Sequence, residues 1–174
     1  APQAAEFALT AMLALAHHLP AVLAAQARAE WPRERWDRYR PYELRGSTVG
    51  IVGYGSIGRE LARLLQPFGV QILAVKHDAM HPADSGYTVP GLGDPEGNLF
   101  TRLYPYQALK SMLKGCDFVV VSLPLTQQTR GIFGPAELEA MKPSACLVGV
   151  GRGGVIHEQA LLEVLQDRRI AAAS

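Results

Sequence analysis

Three glycines stand at a spacing that can do chemistry: Gly53-x-Gly55-x-x-Gly58. An apolar, β-branched run, Val49 to Val52, leads into them, and a helical pattern with Ile57, Leu61, Leu64 and Leu65 on one face follows. Strand, glycine turn and helix start come in the order that a dinucleotide requires. Gly53 allows the tight turn, Gly55 lets the backbone approach a pyrophosphate, and Gly58 lets the helix pack closely on the strand. The helix start then offers free N–H groups and a positive dipole end to the phosphates. The two cysteines, Cys116 and Cys146, lie in no CxxC pair, so neither a disulfide framework nor a zinc site is expected. Beside apolar runs, they read as buried thiols of a reducing compartment.

The elements around the fingerprint alternate. Apolar residues at three- and four-residue steps predict a helix over 4–18, which Pro20 ends before a second helix over 20–29. Residues 30–46 form a polar, aromatic connector in which Trp31, Trp36, Tyr39 and Tyr42 sit among Arg33, Arg35, Arg38 and Arg40. Strands are expected at 48–52, 71–75, 117–121 and 145–150, and helices at 56–67, 106–114, 135–141 and 158–168. A loop over 77–104, rich in Pro and Gly, separates the second strand from the next helix. Residues 170–174 read as the opening of another strand. This alternation predicts an α/β fold: a Rossmann-type, doubly wound parallel sheet, truncated at its C-terminal strands. Residues 1–46 are expected to be helices and connector lying between domains, and 47–174 an incomplete dinucleotide-binding domain.

At 174 residues the chain is long enough for a sizeable core, with 48% apolar and 19% charged residues. Its net charge of +1 gives no pull toward nucleic acid or membrane, so the Arg/aromatic connector reads as an arm that packs on a neighbouring domain or subunit. Residues 7–27 carry no Asp, Glu, Lys or Arg, but His17, His18, Pro20 and Gln26 interrupt them and alanines dilute them, so no membrane span is expected. No basic segment precedes them as in a signal peptide. A cytoplasmic protein is expected.

The ordered motifs resemble the nucleotide-binding domain of the D-isomer-specific 2-hydroxyacid dehydrogenases. Ala5-Glu6-Phe7-Ala8 is similar to the start of that family's inter-domain helix. Leu44 to Gly58 resembles its glycine fingerprint. Leu123-Pro124-Leu125-Thr126, with Thr129-Arg130-Gly131, resembles its PLT segment, and Gly151-Arg152-Gly153-Gly154 its RGG segment. The resemblance covers nearly the whole chain. It implies hydride transfer between NAD or NADP and a small 2-hydroxy or 2-keto acid, in a homodimer joined through the N-terminal helices. Arg152 becomes the catalytic, substrate-binding arginine, a guanidinium able to clamp a carboxylate bidentately. Gly53, Tyr54, Gly55, Ser56, Ile57 and Gly58 would hold the pyrophosphate side, and Lys76 and His77 the adenosine ribose. Leu123, Pro124 and Thr129 would line the adenine and nicotinamide-ribose side, with Val150, Gly151 and Arg152 at the nicotinamide.

The family's catalytic glutamate and histidine match nothing in the 22 residues after Arg152, and most of its second, substrate domain is absent. The resemblance therefore implies a piece of an enzyme, inactive on its own. None of the five histidines replaces the missing one. His157, where the family usually opens a helix with an acid, reads as a poorer N-cap. Lys76 stands eighteen residues beyond Gly58, where the family's acid reads the ribose 2′-OH. A cation there favours the 2′-phosphate of NADP, although Asp78 could reach the ribose of NAD. Gly149 stands where Asn is common, and the 77–104 loop is longer than usual. The alternative reading is a non-catalytic NAD(H)-sensing module, which would bind cofactor without turnover.

Overall fold

The computed structural model describes residues 1–84, 86 and 89–174; Ser85, Tyr87 and Thr88, within the expected loop, lie outside the described residues. Helices α1 (Pro2–Ala16) and α2 (Leu19–Ala27) are followed by a short α3 (Arg35–Arg38) in the connector. Then come β1 (Thr48–Val52), α4 (Ser56–Leu65), β2 (Gln71–Lys76), β3 (Arg102–Pro105), α5 (Leu109–Leu113), β4 (Phe118–Val121), α6 (Pro135–Glu139), β5 (Cys146–Gly149), α7 (Glu158–Gln166) and β6 (Ala172–Ala173). The strands form one sheet in the order β3-β2-β1-β4-β5-β6, every neighbouring pair parallel. This is a Rossmann-like, doubly wound sheet. The residues read as the opening of a further strand form β6, two residues long, paired to Cys146 and Leu147.

The alternation of side chains along each strand builds two cores. Val49 and Ile51 of β1, Ile72 and Ala74 of β2, Phe118 and Val120 of β4, and Cys146 and Val148 of β5 face α1 and α4. Val52, Val75, Val119, Val121 and Leu147 face α5, α6 and α7. With both faces covered, the strands read as near-continuous apolar runs. Helix α1 packs on α4 and β5 through the small side chains of Ala5, Ala8, Ala11 and Ala16, which allow close approach, and through Met12. Among the described residues no single helix is long and apolar enough to cross a membrane, and α1 and α2 are bent 67° from one another.

One expectation is corrected. The loop over 77–104 ends early, because residues 102–105 are the edge strand β3, in register with Leu73 to Lys76. Its Arg, Pro and short length hide it among loop residues, and an edge is where a strand tolerates Pro105. The connector carries the short α3, and Arg35 stacks over both Trp31 (5.0 Å) and Trp36 (5.2 Å). The alternation of Arg with aromatics thus resolves into stacking within the segment.

Candidate functional site

The crossover after β1 leaves toward β2, and the one after β4 leaves toward β5. Between them the carboxyl ends of the central strands open a crevice, the place where sheets of this winding bind ligands. Local hydrogen bonds splay the ends. The N–H groups of Gly53 and Tyr54 both donate to the Val75 carbonyl, at 3.1 and 3.0 Å. The N–H groups of Val150 and Gly151 both donate to that of Val121, at 3.0 and 3.1 Å. The Ser122 N–H bonds Val52 O, and its hydroxyl donates to Gly53 O at 2.8 Å, tying the end of β4 to the glycine turn. Ser122 was missed in the sequence; its place between a strand end and the Leu123-Pro124 pair was the available signal.

The crevice is a cleft of about 390 Å³ lined by Gly55, Ser56, Ile57, Ser122, Leu123, Pro124, Val150, Gly151 and Arg152. Residues predicted from three separate motifs thus meet in one place. The glycines divide the labour. A Cβ on Gly58 would lie 2.4 Å from Gly53 O and 2.9 Å from Ile51 Cγ2, so α4 can sit on β1 only without it. A Cβ on Gly55 would meet nothing within 4 Å, because that side of the backbone is open. Gly55 therefore leaves room for a ligand phosphate at the first turn of α4, and the residues present fit a dinucleotide. Gly151 is forced in the same way as Gly58, its Cβ position lying 2.6 Å from Leu123 O.

The exposed Arg152 lines both this cleft and a neighbouring cavity of about 190 Å³ that also includes Gly149 and Glu158. Other predicted residues stand apart from the cleft walls. Gly53 turns the chain at φ +106°, and Tyr54 is buried with its hydroxyl 2.6 Å from Asp94 Oδ2, so its side chain belongs to the core. Thr129 braces the wall from behind: its hydroxyl donates to Pro124 O and receives the Thr126 N–H at 2.8 Å. His77 is exposed beyond β2. Lys76, at the end of β2, donates through Nζ to the carbonyls of His81 and Ala83. His157 caps α7 after all, its Nδ1 accepting the Ala160 N–H at 3.2 Å.

A parallel doubly wound sheet with a glycine turn at its switch point defines a dinucleotide-binding domain. The sequence profile of the D-isomer specific 2-hydroxyacid dehydrogenase NAD binding domain matches residues 9–174, and the chain belongs to that family. It is 34% identical over 173 residues to the glyoxylate reductase of Thermococcus gammatolerans, covering 97% of this chain and 47% of that protein. Among solved structures, the D-lactate dehydrogenase of Treponema pallidum superposes with a TM-score of 0.78 at 28% identity, over 99% of this chain and 47% of that one. A D-isomer specific 2-hydroxyacid dehydrogenase of Xanthobacter autotrophicus Py2, solved with NADPH and MES, gives 0.77 at 26% identity, over 98% and 47%. The chain thus spans about half the length of these relatives.

Proposed function

We propose that this chain is the nucleotide-binding part of an oxidoreductase that exchanges a hydride between NAD or NADP and a D-2-hydroxy or 2-keto acid. The observation that carries the reading is the convergence of the glycine turn, the Leu123-Pro124 wall and Arg152 on one cleft. When bound, the nicotinamide supplies the hydride exchange with C2 of the acid. The chain's own residues bind and orient. Gly55, Ser56 and Ile57 hold the pyrophosphate against the start of α4, with Gly53, the Tyr54 backbone and Gly58 shaping the turn. Leu123, Pro124, Val150 and Gly151 wall the cleft, and Thr129 keeps Pro124 in place. Arg152 clamps the substrate carboxylate bidentately and fixes the acid beside the cofactor. Lys76 and His77 close the adenosine-ribose end, where a cation favours NADP only when it is not engaged elsewhere, and Lys76 donates to His81 O and Ala83 O.

The proton on the substrate oxygen needs an acid–base group. The family resemblance assigns it to a histidine, tuned by a glutamate, whose motifs match nothing within these 174 residues. Residues 47–174 form the dinucleotide domain in this reading. Residues 1–46 serve the junction with a substrate domain and with a second copy of the chain. The free thiols of Cys116 and Cys146 support a cytoplasmic setting. The relatives' names, reductases and dehydrogenases, favour turnover over the sensing alternative. Titrating the chain with NADH and NADPH, followed by nucleotide fluorescence, tests the binding step. Saturable binding of at least one is expected, and binding of neither would overturn the reading.

A further inference from the structure

The segment after β2 is knotted into a narrow neck. Asp84 N–H donates to Pro95 O at 2.8 Å, and Gly97, at φ +71°, lies so close to Pro82 that a Cβ would sit 2.4 Å from its carbonyl oxygen. Two cations grip this neck, one from α4 and one from β2. From α4, the buried Arg59 donates to Asp94 O and Pro82 O, stacks 5.0 Å over the Tyr54 ring and lies 3.5 Å from Asp84 Oδ2. From β2, Lys76 donates to His81 O and Ala83 O. Asp94 locks the arrangement: it is 3% exposed and accepts the Tyr54 hydroxyl and the N–H groups of Gly97, Asn98 and Leu99. Beside α4, Glu60 Oε2 takes the Gly93 N–H at 2.6 Å.

We propose that the Arg59–Tyr54–Asp94 clamp determines cofactor choice: the clamped neck withdraws the Lys76 ammonium onto its own carbonyls, so that the cleft takes the ribose 2′-hydroxyl of NAD in preference to the 2′-phosphate of NADP. The inference rests on the nucleotide-binding reading above, which puts the adenosine ribose at the end of β2. That end adjoins the glycine turn, whose first two N–H groups bond Val75, the residue before Lys76. To meet a 2′-phosphate, Lys76 would have to give up the two carbonyls that now hold its ammonium. A 2′-hydroxyl is neutral and makes no demand on the Lys76 ammonium, so that exchange is not required for NAD.

The test is the ratio of NADPH to NADH dissociation constants, measured by titration of the chain and of released variants. The unaltered chain is expected to bind NADH about tenfold or more tighter than NADPH, the worth of one charged hydrogen bond. Arg59→Gln, or replacement of residues 79–97 by a short Gly-Ser linker, frees the neck; a thermal melt identifies which of them folds. Release is expected to bring the two constants together by about tenfold, and adding Lys76→Gln to the released chain is expected to cancel that gain. Equal or tighter NADPH binding by the unaltered chain overturns the proposal without any variant. So does an unchanged ratio in a folded released variant, or a gain that survives Lys76→Gln. Binding of neither dinucleotide overturns the nucleotide-binding reading itself, whereas binding of both in the wrong ratio leaves that reading standing and removes only this one.

Discussion

Gly58 and Gly55 are three residues apart and are glycines for different reasons. At Gly58 a methyl group would collide with the Gly53 carbonyl and with Ile51, neither of which is a flexible side-chain end. Gly58→Ala is therefore expected to push α4 off β1, at about 3 kcal/mol, read as a lowered midpoint in chemical denaturation. At Gly55 the methyl group would point into the open cleft. Gly55→Ala is expected to cost at most about 1 kcal/mol of stability, as at any helix N-cap, but to weaken NADH binding by roughly tenfold or more. Stability and affinity should separate cleanly between the two variants; if both lose stability alike, the open side of Gly55 is not where the ligand sits. Arg152 offers a second separation. In a protein that joins this chain to a substrate domain, Arg152→Ala is expected to weaken 2-keto acid binding by about two orders of magnitude, as the loss of a bidentate charged pair does, with NADH affinity nearly intact. Equal loss of both would remove its assignment to the carboxylate.

Among the elements, those with a strong local signal were legible in the sequence. β1 falls at Thr48–Val52 as expected, since a β-branched run ending in a glycine turn admits little else. β4 and β5 likewise announce themselves by burial on both faces. The edge strand β3 did not, because it gains its partner only from β2, twenty-six or more residues earlier, and carries Pro105. The clamp was equally silent. Arg59 and Glu60 fall on helix positions that flank an apolar stripe and look solvated; they are buried because a distant segment lies over them. The convergence on the cleft could be read because its motifs sit at strand ends, whereas Asp94 bonds Tyr54 across forty residues with no local mark. The lock has a pH signature. Burial pushes the Asp94 carboxyl up, but the bonds from Tyr54 and three backbone N–H groups outweigh it and hold the carboxyl below the usual range. Its folded value lies below the unfolded one, so its stabilisation is fully present above about pH 4 and is lost as pH falls through the folded value. Asp94→Asn is expected to lower stability by about 2 kcal/mol at neutral pH. The gap to the unaltered chain should narrow in denaturation curves taken below about pH 4. A gap independent of pH would show that packing, not charge, does the locking.

On the scale of the whole molecule, the exposed apolar surface is concentrated at the N-terminal end. Leu19, Val22, Leu23, Trp31 and Trp36 are all exposed, the two tryptophans at 80% and 74%. Of these, Val22, Trp31 and Trp36 line a groove of about 940 Å³ with Ala25, Tyr39 and Pro41, beside the polar Gln26, Glu30, Arg35 and Arg40. The Tyr39 hydroxyl is buried there with no hydrogen-bond partner among the described residues. A contiguous apolar patch of this kind marks an interaction surface, and α2 buries only Ala25 within its own chain. The sheet core, by contrast, is closed on both faces by α1 and α4 and by α5 to α7, so loss of an outer contact should leave it intact. Association through residues 1–46 should therefore be separable from nucleotide binding. Sedimentation of the unaltered chain is expected to show a dimer, and the double variant Trp31→Ser, Trp36→Ser a monomer whose NADH affinity stays within about twofold, since sites that share no partners act independently. A dimer that survives both substitutions would place the interface elsewhere on the molecule. Loss of NADH binding together with the dimer would mean that the arm, and not the sheet alone, holds the cleft in shape.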